Sequence, residues 1–347
     1  MEAYYYNRMD KFQQSIYHAM KTGLMAIAPS FPVPRTEGSE QQLNDIFFQV
    51  RLDNPDIFYV SGFRYRYYKD AGHIEMIPDY LFDKKKILEH QKAMQARITK
   101  LVRPVINQSE WDKELYVHDF ICTSVQYDKL KKPYSHEIIG PLGQGVGVCE
   151  GMAKAVKALC DALGIWCMIA VSEANPAKGI KYRHAWNVVK IGGICYHLDA
   201  TFDNNLSSDP IIRHDYFNLS DKQFFRDHEP VIHHIPPCEN NEHFYYKEKK
   251  LSFTKIEEIA KRSRQAARKG RPFILHWRGG YLTRETAAEL IAVLAEAGRA
   301  GNKYPRITLN PAQAVICAIF TDNQNEEQYL IEEVNEEGGT RVLLDKG

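Results

Sequence analysis

A helix followed by three β-rich runs is the feature that most limits how this chain can fold. From residue 149 onward, apolar side chains recur at steps of three and four, which predicts an amphipathic helix that stops at Gly164. Three runs rich in apolar, aromatic and β-branched residues come next: IWCMIAV (165–171), HAWNVVKI (184–191) and ICYHLDATF (194–202). A helix that precedes an antiparallel sheet indicates the α+β class.

Cys149 occupies the first position of the predicted helix, after glycines at positions 143, 145 and 147. A thiol in the first helical turn faces unpaired backbone N–H groups and the positive end of the helix dipole, which favour the thiolate. Glycines let the backbone approach a ligand closely. A cysteine on an apolar helix face is more often a packing residue. This segment alone therefore leaves both interpretations open.

The second and third β-rich runs flank Gly192-Gly193, which is typical of a two-residue hairpin turn. In that register His184 lies opposite Thr201, and Trp186 lies opposite Asp199. His184 and Asp199 are then diagonal neighbours on one face, with Cα atoms about 7 to 8 Å apart. An imidazole held by a carboxylate can activate a nearby thiol. A one-residue change in the turn would move the two side chains to opposite faces.

Three segments in this order resemble the core of the transglutaminase-like superfamily: GVCEGMAKAVKALCDALGI, RHAWNVV and YHLDATFD. The upstream segment HDFICTSVQYD (118–128) resembles the helix and Tyr-Asp pair that precede this core in bacterial members. The resemblance spans roughly residues 112–221. It implies a papain-like α+β fold with Cys149 as nucleophile, His184 as general base and then acid, and Asp199 as the residue that orients the imidazole.

The chemistry implied by this resemblance is attack of a thiolate on an amide to give a thioester. The backbone N–H of Cys149 would stabilise the oxyanion. Gln144 and the Tyr127 hydroxyl are candidates for a second donor, although a loop glutamine and a packing tyrosine fit them equally well. Trp186 could shield the contact of His184 with Asp199, or simply pack.

Water or an amine could resolve the thioester, and we expect hydrolysis of a protein or peptide substrate rather than cross-linking. No acidic loops typical of calcium sites occur, and we expect no cofactor and no metal. The alternative from another class is a catalytically silent scaffold that binds partners through its C-terminal α/β unit. A scaffold needs none of the three triad residue types, and all three are present.

The length predicts more than one packed unit. We predict an N-terminal region of helices and a small sheet (1–104), the catalytic core (105–235) and a small C-terminal α/β domain (251–347). Within the first region, SFPVPR (30–35) is predicted to be a linker or turn because it holds two prolines.

The composition argues against several classes of partner. A formal net charge of +1 gives no strong overall field for nucleic acid or for an anionic membrane. The seven cysteines form no CxxC pair, and neither a secretory signal nor an apolar run of about 20 residues is visible, so we expect a cytoplasmic protein. The oligomeric state is not predicted.

Two further segments have ordinary explanations. HEPVIHHIPPC (228–238) contains His228, His233, His234 and Cys238, but Pro230 would break the helix that an HExxH zinc signature needs, so a solvated linker is predicted. The basic run KRSRQAARKGR (261–271) is predicted to be the solvated end of a helix.

Overall fold

The structure is a computed structural model, which describes residues 3–35, 40–69, 71–178, 180–280, 282–335 and 338–343. The chain divides into two compact units. Unit 1 comprises Met1–Val171 and His184–Gly193, and unit 2 comprises Ser172–Arg183 and Ile194–Gly347. The predicted division into three segments stays a prediction. In the described part of the chain, no helix is both long and apolar enough to span a bilayer.

The described residues of unit 1 form five α-helices, of which the last was predicted with these bounds: α1 (Lys11–Met25), α2 (Glu40–Asp53), α3 (Lys84–Val102), α4 (Glu110–Ser124) and α5 (Cys149–Leu163). Local side chains start several of them. Asp10 and Gln13 form a reciprocal capping box at α1, and the Ser109 side chain caps α4. Gly164, in the left-handed conformation, ends α5.

A small antiparallel sheet lies between these helices in the sequence. It comprises β1 (Phe31–Pro34), β2 (Val60–Tyr67) and β3 (His73–Tyr80), in the order β1-β3-β2. The prediction of a linker at SFPVPR was therefore wrong, because residues 31–34 pair with β3. Proline is tolerated there because β1 is an edge strand, whose outward side needs no N–H donor.

The N-terminal residues are bound to the centre of unit 1. The Asp53 carboxylate accepts hydrogen bonds from the backbone N–H groups of Tyr5 and Tyr6 and from the Tyr17 hydroxyl. The buried Tyr5 hydroxyl donates to the Ile169 carbonyl at 2.6 Å. This segment is therefore an integral part of the unit.

The rest of unit 1 surrounds α5. Two short parallel strands, β4 (Gln126–Tyr127) and β5 (Val146–Gly147), lie just before it in the sequence. The strands β6 (Trp166–Ser172, in this unit up to Val171) and β7 (His184–Ile191) follow and are hydrogen-bonded neighbours. Gly192 and Gly193 have φ values of 58° and 83°, as the predicted two-residue turn requires.

Strand β8 (Ile194–Leu198) belongs to unit 2 and ends four residues earlier than predicted. Asp199 is the N-cap of helix α6 (Ala200–Leu206), so Thr201 lies in a helix and cannot face His184 in a strand pair. The predicted strand pairing at residues 199 and 201 was therefore wrong. After α6 come β9 (Phe217–Leu219), antiparallel to β8, and the short helices α7 (Asp221–Phe224) and α8 (Tyr245–Glu248).

The C-terminal part of unit 2 is a six-stranded mixed sheet with two helices. The strands run in the order β10-β11-β13-β12-β14-β15, and the chain order is β10 (Ser252–Phe253), β11 (Phe273–Trp277), β12 (Tyr304–Asn310), β13 (Val315–Thr321), β14 (Gln328–Asn335) and β15 (Gly338–Leu343). The helices are α9 (Ile256–Arg268) and α10 (Arg284–Ala300). The basic side chains of α9 are exposed, as predicted.

A buried ion network joins the segment after α6 to this sheet. Arg213 binds Asp215 through two nitrogens, at 3.0 and 2.6 Å, and reaches Glu332 of β14 at 2.5 Å. The Tyr246 hydroxyl and the Asn310 amide donate to the same Asp215 carboxylate. Because buried charges are costly unless paired, this network requires the two parts to fold together.

We predict that Gly151→Ala destabilises the protein by about 1 to 3 kcal/mol. A Cβ at this position would lie 2.1 Å from the backbone oxygen of Ser135, which cannot move without shifting the loop before α5. Urea unfolding measures the effect. Gly72→Ala is the matched control, because a Cβ there meets no atom within 4 Å. Equal stability of the two variants would contradict the close approach.

Candidate active site

Cys149 begins α5 and is almost buried, with 8% of its surface exposed. The N-cap residue, Val148, has an extended backbone and an apolar side chain that cannot accept a hydrogen bond from the first turn. No N-cap side chain therefore accepts a hydrogen bond from the first N–H groups of α5, and these groups can donate to backbone, solvent or a ligand. Such a helix start is suited to bind negative charge.

The loop before Cys149 is held by a network around Asp128. The Asp128 carboxylate accepts hydrogen bonds from the Ser135 hydroxyl and from the backbone N–H groups of Leu130 and Lys132. The Ser135 hydrogen bond is the main reason that the pKa of Asp128 is lowered. The Ser135 carbonyl in turn accepts from the Val148 N–H at 3.0 Å. This chain of contacts fixes the backbone that leads into the helix.

The two candidates for a second oxyanion donor lie in this same region. Tyr127 is half-buried in β4 and pairs with Gly147, two residues before Cys149. Gln144 is exposed at the end of a helical turn, Ile139–Gln144. Both roles remain predictions.

A buried charge cluster covers the polar side of the amphipathic helix α5. Lys154 is fully buried and donates to Glu137 at 2.8 Å and to Glu150 at 2.7 Å. Arg51 of α2 pairs with both carboxylates. Burial alone would raise the pKa of Glu150, but Lys154, His136 and Arg51 lower it well below its usual range. The amphipathic pattern of α5 does not reveal this burial, because Arg51 and Glu137 lie on other elements.

His184 is the first residue of β7, and it is buried. Its ring stacks against that of Trp186, with centroids 5.9 Å apart and an interplanar angle of 22°. Further along β7, the buried Asn187 amide donates to the Ala153 carbonyl at 2.9 Å. Because Ala153 lies one helical turn after Cys149, this bond joins the strand that starts with the histidine to the helix that starts with the cysteine.

Asp199 lies in unit 2 and is completely buried. Its Oδ1 accepts hydrogen bonds from the backbone N–H groups of Thr201 and Phe202, at 2.9 and 3.0 Å. Its Oδ2 is 3.0 Å from Nε2 of His228. The carboxylate is therefore held in one orientation from both sides.

His228 is the functional candidate that the sequence analysis missed. It was predicted to lie in a solvated linker, yet it is buried, stacks on Phe224 at 3.8 Å and bonds Asp227 through Nδ1 at 2.9 Å. Burial alone would lower the pKa of His228, but hydrogen bonds to Asp199 and Asp227 raise it. No local pattern marks this residue, because its main partner is 29 positions away.

These features define an α+β protein with a papain-like core, in which a helix that starts at a cysteine packs against a strand that starts at a histidine. Residues 95–200 match the model of the transglutaminase-like superfamily, so this segment is similar to the core of that superfamily. A search of curated proteins finds no match.

Two solved structures are similar to parts of the chain. One is a candidate cysteine protease from Cytophaga hutchinsonii, with 17% identity and a TM-score of 0.27 over 41% of this chain and 62% of that one. The other is described as a TGase, with 14% identity and a TM-score of 0.28 over 57% of this chain and 60% of that one. The chain thus spans about three fifths of the length of each.

We predict that His228→Gln destabilises the protein by about 1 to 3 kcal/mol near pH 7, and by less as the pH rises toward about 9. Because the pKa of His228 is raised in the folded state, its protonated ring stabilises the fold fully below about pH 6.5, the usual pKa of histidine. This stabilisation is lost as the pH rises through the pKa of the folded state. Urea unfolding of both proteins across this range measures the difference.

His276→Gln is the control, because burial lowers the pKa of His276 to about 4 and the ring stays neutral throughout this range. Its effect on stability is expected to be constant with pH. Parallel curves for the wild type and His228→Gln would show that the buried His228 is neutral and that the prediction is wrong.

Proposed function

We propose that the protein is a thiol enzyme that acts on an amide through a thioester on Cys149. The observation that carries the proposal is the Asn187 to Ala153 hydrogen bond, since it holds the strand of His184 against the helix of Cys149. In this proposal His184 is the general base and then the general acid. Asp199 orients its imidazole, and its carboxylate is itself held by the backbone N–H groups of Thr201 and Phe202 and by His228.

In the first half-reaction, His184 takes the thiol proton and the sulfur attacks the amide carbon. The carbonyl oxygen becomes an oxyanion that the Cys149 N–H stabilises at the helix start. His184 then gives its proton to the leaving nitrogen, the C–N bond breaks, and an amine or ammonia departs. The acyl group remains on sulfur as a thioester.

In the second half-reaction, His184 takes a proton from water, which attacks the thioester carbon. The new tetrahedral intermediate collapses, the C–S bond breaks, and the sulfur regains a proton from His184. We propose that water is the usual acceptor and that the substrate is a protein or peptide. The cross-linking alternative differs only in that an amine replaces this water.

We predict that iodoacetamide alkylates Cys149 already at about pH 6, and that His184→Ala reduces this rate at least about tenfold. The reason is that a thiolate paired with an imidazolium reacts at a pH where an ordinary thiol is protonated. Peptide mass spectrometry assigns the modified cysteine. The background variant is Cys195→Ser, because Cys195 is half-buried whereas the five remaining cysteines are buried.

A Cys149 profile that rises only toward about pH 8.5, unchanged in His184→Ala, is the behaviour of an ordinary cysteine. That result would favour the catalytically silent scaffold instead. Trp186→Phe, which keeps a ring beside His184, serves as a control for packing and is expected to retain most of the alkylation at low pH.

We also predict that a glutamine-containing peptide incubated with a labelled primary amine gives cleavage or ammonia release with little label in the product. Hydrolysis dominates if water reaches the thioester more readily than the amine does. Mass spectrometry of the peptide separates the two outcomes, and Cys149→Ser gives the background. Incorporation of the amine as the main product would replace the hydrolytic version by the cross-linking one.

A further inference from the structure

A group of side chains of the types that ligate metals lies in unit 2, separate from the proposed triad. It comprises His197 of β8, Asp221 at the start of α7, and Cys238. One ligand atom from each lies within 4.8 Å of the other two. His197 Nε2 is 2.8 Å from the Asp221 carboxylate, whose other oxygen accepts from the Cys238 N–H at 3.0 Å. The side chains of His197 and Cys238 are fully buried, whereas Asp221 reaches solvent.

Strand β8 carries a candidate for a fourth ligand. Cys195 precedes His197 by two residues in β8, so the two side chains point to the same face of the strand. One sulfur, one imidazole nitrogen and one carboxylate oxygen thus converge, and Cys195 shares the strand face that carries His197.

We propose that Cys195, His197, Asp221 and Cys238 form a structural zinc site. Two thiolates, an imidazole and a carboxylate are ligands that Zn²⁺ takes in a tetrahedral arrangement. On binding, each thiol releases one proton to solvent, and His197 binds through Nε2 with its remaining proton on Nδ1. The metal replaces the hydrogen bonds of His197 with Asp221 and of the Cys238 thiol with the Pro236 carbonyl. The exposed side of Asp221 provides the entry path.

The position of this site gives it a structural role. Residues 221 and 238 bracket the segment that carries His228, and β8 leads directly into Asp199. The Phe224 ring stacks on His197 at 4.2 Å and on His228 at 3.8 Å. A metal at this site therefore fastens both ends of the segment to β8 and holds His228 where it bonds Asp199. The proposal stands independently of catalysis by Cys149.

The experiment uses the full chain as Cys149→Ser, reduced and stripped with a chelator, so that the proposed nucleophile adds no signal. Addition of Co²⁺, which occupies the same tetrahedral sites as Zn²⁺, is expected to give a thiolate-to-metal charge-transfer band with one ion per chain. Zn²⁺ is expected to abolish the band and to raise the midpoint of thermal unfolding.

Cys238→Ser is expected to abolish tight binding, and Cys195→Ser is expected to halve the charge-transfer intensity. Because Cys195 is only half-buried, the second variant is informative even if Cys238→Ser fails to fold. Cys317→Ser is the matched control, a buried cysteine of the same unit outside the cluster, and keeps the full band. Absence of the band, its full retention in Cys195→Ser, or a Cys195 to Cys238 disulfide in place of metal uptake would overturn the proposal.

Discussion

The hydrogen bond from the Asn187 amide to the Ala153 carbonyl is the interaction that sets the position of β7 against α5. A buried amide costs free energy unless it is paired, so this side chain specifies one alignment of β7 on α5. A contact of the same amide with the Met168 carbonyl, at 3.4 Å, ties the strand to β6 as well. One polar residue in an apolar setting therefore determines where the strand that begins with His184 lies against the helix that begins with Cys149.

A comparable constraint operates in unit 2, where the Asp199 carboxylate has two structural tasks. Its Oδ1 caps the N-terminus of α6, and its Oδ2 bonds His228. The His228 ring also bonds the Asp227 carboxylate. That carboxylate accepts hydrogen bonds from the Tyr216 hydroxyl, at 2.7 Å, and from the Gln313 side-chain amide. The orientation of Asp199 is thus linked to the turn between β12 and β13 of the C-terminal sheet. This connection ties the orientation of Asp199 to the C-terminal part of unit 2.

The parts of this fold that follow from local sequence were predictable. The apolar stripe of α5, its stop at Gly164 and the turn at Gly192-Gly193 need only neighbouring residues, and the structure confirms all three. The end of β8 was predicted too late because Asp199 caps a helix and does not continue the strand. An aspartate in this position fits a strand or a helix cap equally well from sequence.

The buried partners were beyond reach for a different reason. Lys154 looks like a solvated helix residue until Glu137 and Arg51 approach from other elements. His228 likewise follows a short helix within a turn-rich segment, and only the fold brings Asp199 to it. Titratable residues whose burial depends on distant partners leave no periodic signal, because periodicity reports which face is apolar and not what covers it.

The charge cluster beside α5 also bears on the chemistry of the helix start. An unpaired Glu150 carboxylate, adjacent to Cys149, would oppose negative charge on the sulfur. Lys154 and Arg51 offset the carboxylates of Glu150 and Glu137, so two cations face two anions and the cluster adds little net field. The backbone N–H groups of the first turn then remain the main source of positive potential at Cys149. The burial of Lys154 is therefore consistent with a helix start suited to bind an anion, even though an acidic residue occupies its second position.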